Sequence, residues 1–418
     1  MRIGIFTETY TPYISGLVTS EVMLKKALER KGHEVYVVTI NLRSFKYDYD
    51  EKERILRIPG IPIGIYDARL TTIYPIQAVN KIKSWNLDVI HSQTEFAMGT
   101  FSRLIAKQYN IPLVHTYHTL YEDYMHYITK GYFKKSSKKL AEYLTKFYCD
   151  TTITTELIVP TNKIYKLFKE KYKFERNIHI IPTGIEVERF YEENIDAKEV
   201  QLLKKTLQFE KKDFIVLFIG RLAEEKNVEF LINAQKKLTA KHPNIKLLIV
   251  GDGPDIEKYK DLAKKLKIEK NVIFTGKVAW DEIPYYYHCA NVFATASRTE
   301  TQGLTIIEAM ASGVVPVCLN DEAFVSMVTD TLNGLFFDTE EDYLKQILYL
   351  YDNKEAHKRL NKQARIQAEH YGSAHYAESV LEVYNRAILE KKKEYRFGIV
   401  SKIAKRLKGE NDDNSLKQ

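Results

Sequence analysis

The sequence predicts an α/β protein of two doubly wound domains, each a parallel sheet with helices on both faces. Three observations carry this. A chain of 418 residues exceeds the length at which one hydrophobic core usually stops growing, so two domains are the default. Short aliphatic runs alternate with stretches of helical period, the pattern of parallel sheets. That alternation starts twice, at the N-terminus and again at Asp213, with no internal sequence repeat.

Taken in order, Arg2–Phe6 reads as a strand, followed by a turn containing Pro12 and Gly16. A periodic helix is expected over 20–31, with Gly32 ending it. The strand over 34–40 completes a βαβ unit, and 87–91 and 112–116 read as further short strands. In the second series Phe214–Ile219 is a buried strand, 227–238 a helix, Ile245–Val250 a strand and 256–266 a helix. Strands at 271–274 and 291–294, a helix from Leu304 and a strand at 315–318 follow. The stretch 184–212 is charged and poorly patterned, which suits an interdomain connection. Beyond Gly372 a long periodic helix runs over 373–393. The expected organisation is therefore 1–190, 191–372, a helix at 373–394 that packs back on the first domain, and a basic tail at 395–418.

Composition bounds the class. With 44% hydrophobic and 28% charged residues, the chain is globular rather than disordered. Cys149, Cys289 and Cys318 are widely separated and form neither a metal-ligand spacing nor a disulfide framework, which fits a reducing cytoplasm. The N-terminus turns polar by Thr7 and lacks the apolar core of a signal peptide. Its longest aliphatic runs are strand-sized, far short of a membrane span. The net charge of +8 is uneven: 101–176 carries 14 Lys/Arg against 7 Asp/Glu, and 391–408 carries 8 against Glu394 alone. Such patches serve an anionic partner or form a solvated face. No nucleic-acid-binding motif accompanies them.

Candidate site residues lie just beyond predicted strands, where open α/β sheets bind ligands. Arg221 and Lys226 follow Phe214–Ile219 and are placed to clamp a diphosphate. Gly251 and Gly253 follow Ile245–Val250 and permit close backbone approach. Glu300 and Glu308 flank a helix start, where the amides of Thr301, Gln302, Gly303 and Leu304 favour a phosphate. Dipole compensation explains Glu300 but not a second glutamate among Ile306, Ile307, Ala309 and Met310.

On these motifs the chain resembles the retaining GT-B glycosyltransferases of family 4, whose hallmark is two glutamates separated by seven residues. Here these are Glu300 and Glu308, supported by Gly220-Arg221 through Lys226-Asn227 and by Glu308 through Gly313. The resemblance covers most of 1–390. It implies two facing Rossmann-like domains with the active site in the cleft, an acceptor-binding and membrane-binding first domain, and a nucleotide-sugar-binding second domain. By it, Arg221 and Lys226 hold the diphosphate and Glu300 the transferred sugar. Glu308 takes the ribose hydroxyls, Thr301 to Leu304 contact sugar and phosphate, Gly16 and Gly251 approach the donor, and Val278 with Lys277 lies against the base.

Within that family, His115 through Tyr124 and Thr9 through Gly16 look like the corresponding segments of bacterial diacylglycerol glucosyltransferases. The likeness implies transfer of glucose from UDP-glucose to 1,2-diacylglycerol with retention, giving monoglucosyl diacylglycerol, and a contact from His118 to the donor sugar. The alternatives are another sugar donor, a soluble glycan or protein acceptor, or a non-catalytic subunit that binds nucleotide-sugar. Front-face attack is favoured, because no carboxylate is placed as a nucleophile. Asp48-Tyr49-Asp50 fits the D-x-D of metal-dependent transferases but falls in a charged loop without a supporting strand, so it reads as chance. No cofactor and no metal are expected, the UDP-sugar being a substrate.

Such an acceptor lives in a bilayer, and two basic patches suit an anionic one. Lys134, Lys135, Lys138 and Lys139, interleaved with Tyr132, Phe133, Leu140 and Tyr143, form one candidate patch. Lys402, Lys405 and Arg406 face Val400, Ile403, Ala404 and Leu407 in a basic amphipathic helix. The expected location is cytoplasmic, peripheral on the inner face of the cell membrane.

Overall fold

The computed structural model describes residues 1–13, 16–62, 69–71, 74–118, 139, 142–143, 145–146, 149 and 153–407, with backbone alone at 62, 69–70 and 395–407. The first sheet contains β1 (Arg2–Phe6), β2 (Glu34–Asn41), β3 (Asp48–Asp50), β4 (Ile55–Pro59), β5 (Val89–Ser92), β6 (Leu113–Thr116), β7 (Thr154–Val159) and β8 (Ile178–Ile180). Their spatial order is β8-β7-β6-β5-β1-β2-β4-β3, parallel except where β3 runs against β4. The second contains β9 (Phe214–Ile219), β10 (Ile245–Val250), β11 (Val272–Phe274), β12 (Val292–Thr295), β13 (Val315–Leu319) and β14 (Leu335–Phe337), ordered β11-β10-β9-β12-β13-β14 and parallel throughout.

In each sheet the strand order turns back beside the opening strand. β1 lies between β5 and β2, and β9 lies between β10 and β12. The crevice at the carboxyl end of such a switch point is where doubly wound sheets bind ligands. Both faces of the second sheet are covered, which explains the unbroken apolar run of β9. Val216 and Phe218 enter one core with Leu247 and Ile249, while Leu217 and Ile219 enter the other with Leu248 and Val250.

One face of the first sheet is closed by two helices. Leu24, Ala27 and Leu28 of α1 (Gly16–Arg30) pack with Tyr376, Ala377, Val380, Val383, Tyr384 and Ala387 onto Ile3, Ile5, Val35, Val37, Val89 and Val114. The spacing of that second set is a helical stripe, and each large apolar side chain so buried is worth about 1.5–3 kcal/mol. The helix that carries it, Ser373–Leu407, thus starts beside the second sheet and packs on the first. The chain crosses between the halves at two adjacent points, where Ile185 N donates to Tyr371 O at 2.9 Å.

Three expectations need correcting, and one segment holds more than its sequence disclosed. α1 starts at Gly16, four residues before Ser20, because burial of Val18 draws the extra turn in and leaves Ser20 buried inside the helix. Asp48–Asp50 is an edge strand on β4 rather than a loop, with Asp48 paired to Arg57 at 3.4 Å. The 184–212 connection carries structure of its own, which the sequence did not disclose: Val187, Phe190 and Val200 are buried, and Asp196 caps the helix Ala197–Thr206 by accepting from Lys198 N at 2.8 Å. Finally, the last helix continues without a break to Leu407, so the basic tail begins as its extension rather than as a separate helix. Among the described residues no helix is long and apolar enough to cross a membrane.

Candidate active site

The site forms where loops from the carboxyl ends of β1, β5, β6, β9, β10 and β12 converge. Beyond β9 the chain makes a single turn, Glu224–Lys226, and exits through Asn227 with a left-handed φ of 51°. This turn aims Lys226 at the loop beyond β12, where its ammonium contacts the Glu300 carboxylate. Burial opposes the charge on Glu300, but the Lys226 ammonium, with Ser297 and Lys163, overrides it and holds the carboxyl below its usual range. Arg221 is half-buried on the same loop.

The glycines beyond β10 serve a close approach, but to protein. A methyl added at Gly251, whose φ is +136°, would lie 1.9 Å from the Gly220 carbonyl oxygen. One added at Gly253 would lie 2.3 Å from that of Leu222. Two further bonds, Leu222 N to Asp252 O at 2.9 Å and Asp255 N to Leu222 O at 3.0 Å, lock this turn onto the loop carrying Arg221. The expected approach of Gly251 to a ligand is thus first a packing contact that fixes Arg221.

After Glu300 the chain is held against the first half of the molecule. Thr301 Oγ1 donates to the His118 carbonyl at 2.9 Å, and the Thr301 carbonyl accepts from Thr161 Oγ1 at 2.8 Å. The Gln302 side chain accepts from Thr183 N at 2.8 Å and donates to Thr183 O at 3.1 Å. Its side chain is therefore spent on joining the halves, and only its backbone remains for a ligand. Gly303, with φ +93°, precedes the helix Leu304–Ala311, and a methyl on it would meet Phe324 at 2.7 Å. Across the cleft, a methyl on Gly16 would stand 3.5 Å from Leu304 Cδ1, so the starts of two helices face each other.

Glu308 sits one turn into that helix and accepts from the buried Tyr287 hydroxyl at 2.8 Å. Burial pushes its carboxyl up to about 7, against the opposing pull of the Tyr287 hydroxyl and Arg189. Val278 packs against the neighbouring core, and Lys277 is exposed. His118 ends the loop start beyond β6, its Nε2 2.6 Å from Gln93 Oε1, and burial beside His115 pushes its pKa down to about 3. It is neutral at any physiological pH.

The structure brings Gly16 to Leu304, His118 to Thr301, Lys226 to Glu300 and Gly251 to the loop carrying Arg221, with Gln302, Gly303 and Glu308 on the same segment as Glu300, while Val278 packs against the core that this segment's helix enters. Lys134, Lys135 and Lys138 lie outside the described residues, Lys139 is exposed, and Lys402, Lys405 and Arg406 are described by backbone alone. Sequence reasoning missed Gln93, Thr161, Lys163 and Thr183. Gln93 could have been found by the rule that picked Arg221, since it directly follows a buried strand. Lys163 reaches Asp321 at 2.8 Å and the Glu300 carbonyl at 3.4 Å, a tertiary arrangement with no local signature. Beside the loop leading to Gly16, a cavity of about 470 Å³ is lined by Tyr10, Pro12, Ile40, Leu42, Tyr47 and Arg57, among others.

Comparison with known proteins places this geometry. Residues 14–189 match the family model described as Glycosyltransferase Family 4, and 199–367 match Glycosyl transferases group 1. An alpha-monoglucosyldiacylglycerol synthase of Acholeplasma laidlawii is 38% identical over 390 residues, covering 92% of this chain and 96% of the relative. A protein of the same description from Streptococcus pneumoniae is 34% identical over 377 residues, covering 89% and 84%. Among solved structures, Anabaena HepE in complex with UDP-glucose superposes with a TM-score of 0.71 at 17% identity, covering 92% of this chain and all of that one, a likeness of fold.

Proposed function

The chain belongs to the GT-B glycosyltransferases of family 4, and on that basis we propose that it transfers glucose from UDP-glucose to 1,2-diacylglycerol with retention of configuration. The product is monoglucosyl diacylglycerol. The observation that carries this reading is the pair of near-full-length relatives, both described as alpha-monoglucosyldiacylglycerol synthases. A UDP-glucose donor, itself an α-glucoside, then requires retention.

In this reading Arg221 and Lys226 stabilise the UDP diphosphate as it leaves, and Glu300 orients the sugar. The Lys226–Glu300 contact keeps Glu300 ionised before the donor arrives. Amides at Thr301 to Leu304 add donors that are already in place, which is the cheapest way to stabilise developing charge. Glu308 accepts from the ribose hydroxyls, Val278 borders the base, and His118 touches the sugar. The bond between the anomeric carbon and the β-phosphate oxygen breaks while the acceptor oxygen bonds that carbon on the same face. The hydroxyl proton passes to the departing phosphate oxygen. Positive charge comes from the protein, so the scheme assigns no metal.

The cavity beside Tyr10 and Arg57, with its mixed apolar and cationic lining, receives the glycerol end of the acceptor. Lys134, Lys135, Lys138, Lys139, Lys402, Lys405 and Arg406 hold the enzyme on the anionic inner face of the membrane, each worth about 1 kcal/mol. Exposed Phe45, on the loop beyond β2, and Ile61, in a two-residue strand beyond β4 that pairs with Leu70, add apolar contact.

The test supplies labelled UDP-glucose and UDP-galactose separately with diacylglycerol vesicles. Label from UDP-glucose in a monoglycosylated lipid supports the reading. Label entering lipid only from UDP-galactose, or only a soluble acceptor, overturns it.

A further inference from the structure

The loop beyond β5 carries a buried amide that the reaction scheme leaves unused. Gln93 is 2% exposed. Its Oε1 lies 2.6 Å from His118 Nε2, and its Nε2 lies 3.1 Å from His91 Nδ1. His91 is itself pinned from both sides, with the Tyr384 hydroxyl 2.7 Å from Nδ1 and the Thr116 hydroxyl 2.6 Å from Nε2. An amide oxygen can only accept, so the proton between Gln93 and His118 belongs to His118 Nε2. A neutral imidazole carries one such proton, which leaves Nδ1 with a lone pair.

We propose that Gln93 is a positioning residue that fixes His118 in the Nε2–H tautomer, so that Nδ1 is offered as a hydrogen-bond acceptor to a hydroxyl of the donor sugar. Tyr384, through His91, holds Gln93 in turn. The proposal rests on the assignment above of His118 to the donor sugar. It also gives the last helix a connection to the site: Tyr384 sits in the stripe that docks this helix on the first sheet, and the side chains of His91 and Gln93 lead from it to His118. With the opposite tautomer, the lone pair of Nε2 would face the Gln93 oxygen, and Nδ1 could only donate.

Among the described residues, the titratable groups around His118 are His91, His115 and Glu95, which meets His115 at 3.2 Å, and beyond the Thr301 contact the Lys226–Glu300 pair. Burial disfavours the charged form of His91 and His115.

Nitrogen NMR of full-length protein carrying labelled histidine reads the tautomer, with the His118 signal assigned by difference against His118→Asn. Wild type should show a neutral Nε2–H ring across the active pH range. Gln93→Met, of similar size, should give a mixture of tautomers and lower kcat about 10- to 100-fold, the range seen when a metal-ligating histidine loses its orienting partner. KM for the donor should move little. Gln93→Glu places a carboxylate against Nε2–H and should raise the His118 pKa, giving kcat, read at saturating donor, an acidic limb that wild type lacks. A wild-type Nδ1–H tautomer overturns the proposal. So does Gln93→Met with wild-type tautomer and kcat, or Gln93→Glu with an unshifted profile. Should Gln93→Met fail to fold by circular dichroism, Gln93→Glu, closer in shape, tests the same hydrogen bond. Tautomer and titration are read without turnover, so a wrong donor or acceptor leaves them as predicted while no glycolipid forms.

Discussion

Replacing Lys226 by methionine keeps most of the length of the side chain and removes the cation that Glu300 contacts. The two side chains are 19% and 20% exposed, so the pair is mostly but not wholly buried. Removing one partner of a fully buried pair costs about 3–5 kcal/mol. Ser297 and Lys163 still favour the Glu300 carboxylate, and residual solvent screens it, so the stability loss should be about 1–3 kcal/mol. Activity should fall further, because the leaving diphosphate loses a cation that matters most in the transition state, about 100- to 1000-fold. Glu300→Gln alone should lower turnover to a similar degree with the fold intact. The double variant separates the two effects: with no carboxylate left unpaired it should recover part of the stability of Lys226→Met and none of its activity. Thermal melts and initial rates of transfer from UDP-glucose read both quantities. Losses of stability that simply add would mean the two groups are uncoupled. Turnover of Lys226→Met close to wild type would remove Lys226 from the leaving group.

Glu308→Ala should chiefly weaken donor binding, measured as the Kd for UDP by calorimetry, with kcat less affected. Because burial raises this carboxyl to about 7, donor affinity should strengthen as pH rises through about 7, when the carboxylate gains an acceptor for the ribose, and Glu308→Gln should flatten that dependence. The folded protein holds this proton more tightly than the unfolded chain, so the group costs stability as pH rises from 4.5 to about 7, the range between the ordinary value and the raised one. Gly251→Ala should destabilise by at least about 3 kcal/mol, since the new methyl meets the Gly220 oxygen, whereas Gly32→Ala, with φ +82° and nothing within 4 Å, should cost about 1–2 kcal/mol in chemical denaturation. Deleting 395–418 should release much of the protein from anionic vesicles in co-sedimentation, with wild-type binding falling steeply as salt shortens the Debye length from about 10 Å at 0.1 M to about 3 Å at 1 M. Equal sedimentation of both forms at every salt would make the tail a solvated appendage.

What the sequence disclosed follows from how each element is buried. β9, β10 and β12 were legible because both faces are covered and the runs are apolar but for Lys246 and Thr295. β7 was not: Thr154, Thr155 and Glu156 read as polar, yet the whole strand is buried, with Glu156 meeting His179 at 2.6 Å. β3 was read as a loop because its residues are charged and its support is a single edge pairing to β4. The turns at 187–194 are too short for periodicity to register. The glutamates at 300 and 308 stood out by spacing, but their contrasting states, one held ionised by Lys226 and one lifted by burial, depend on neighbours 74 and 21 residues away. The links that close the cleft, Thr161 to Thr301 and Gln302 to Thr183, join residues more than 100 positions apart, and no local pattern announces them.

Retaining transfer of glucose from UDP-glucose to diacylglycerol leaves its mark in the anomeric configuration of the product. Purified full-length protein is incubated with UDP-glucose and anionic vesicles containing diacylglycerol, and the glycolipid is isolated for proton NMR of its anomeric position. Retention predicts α-glucosyl diacylglycerol. A β-linked glucolipid, or release of free glucose with no lipid product, would contradict it.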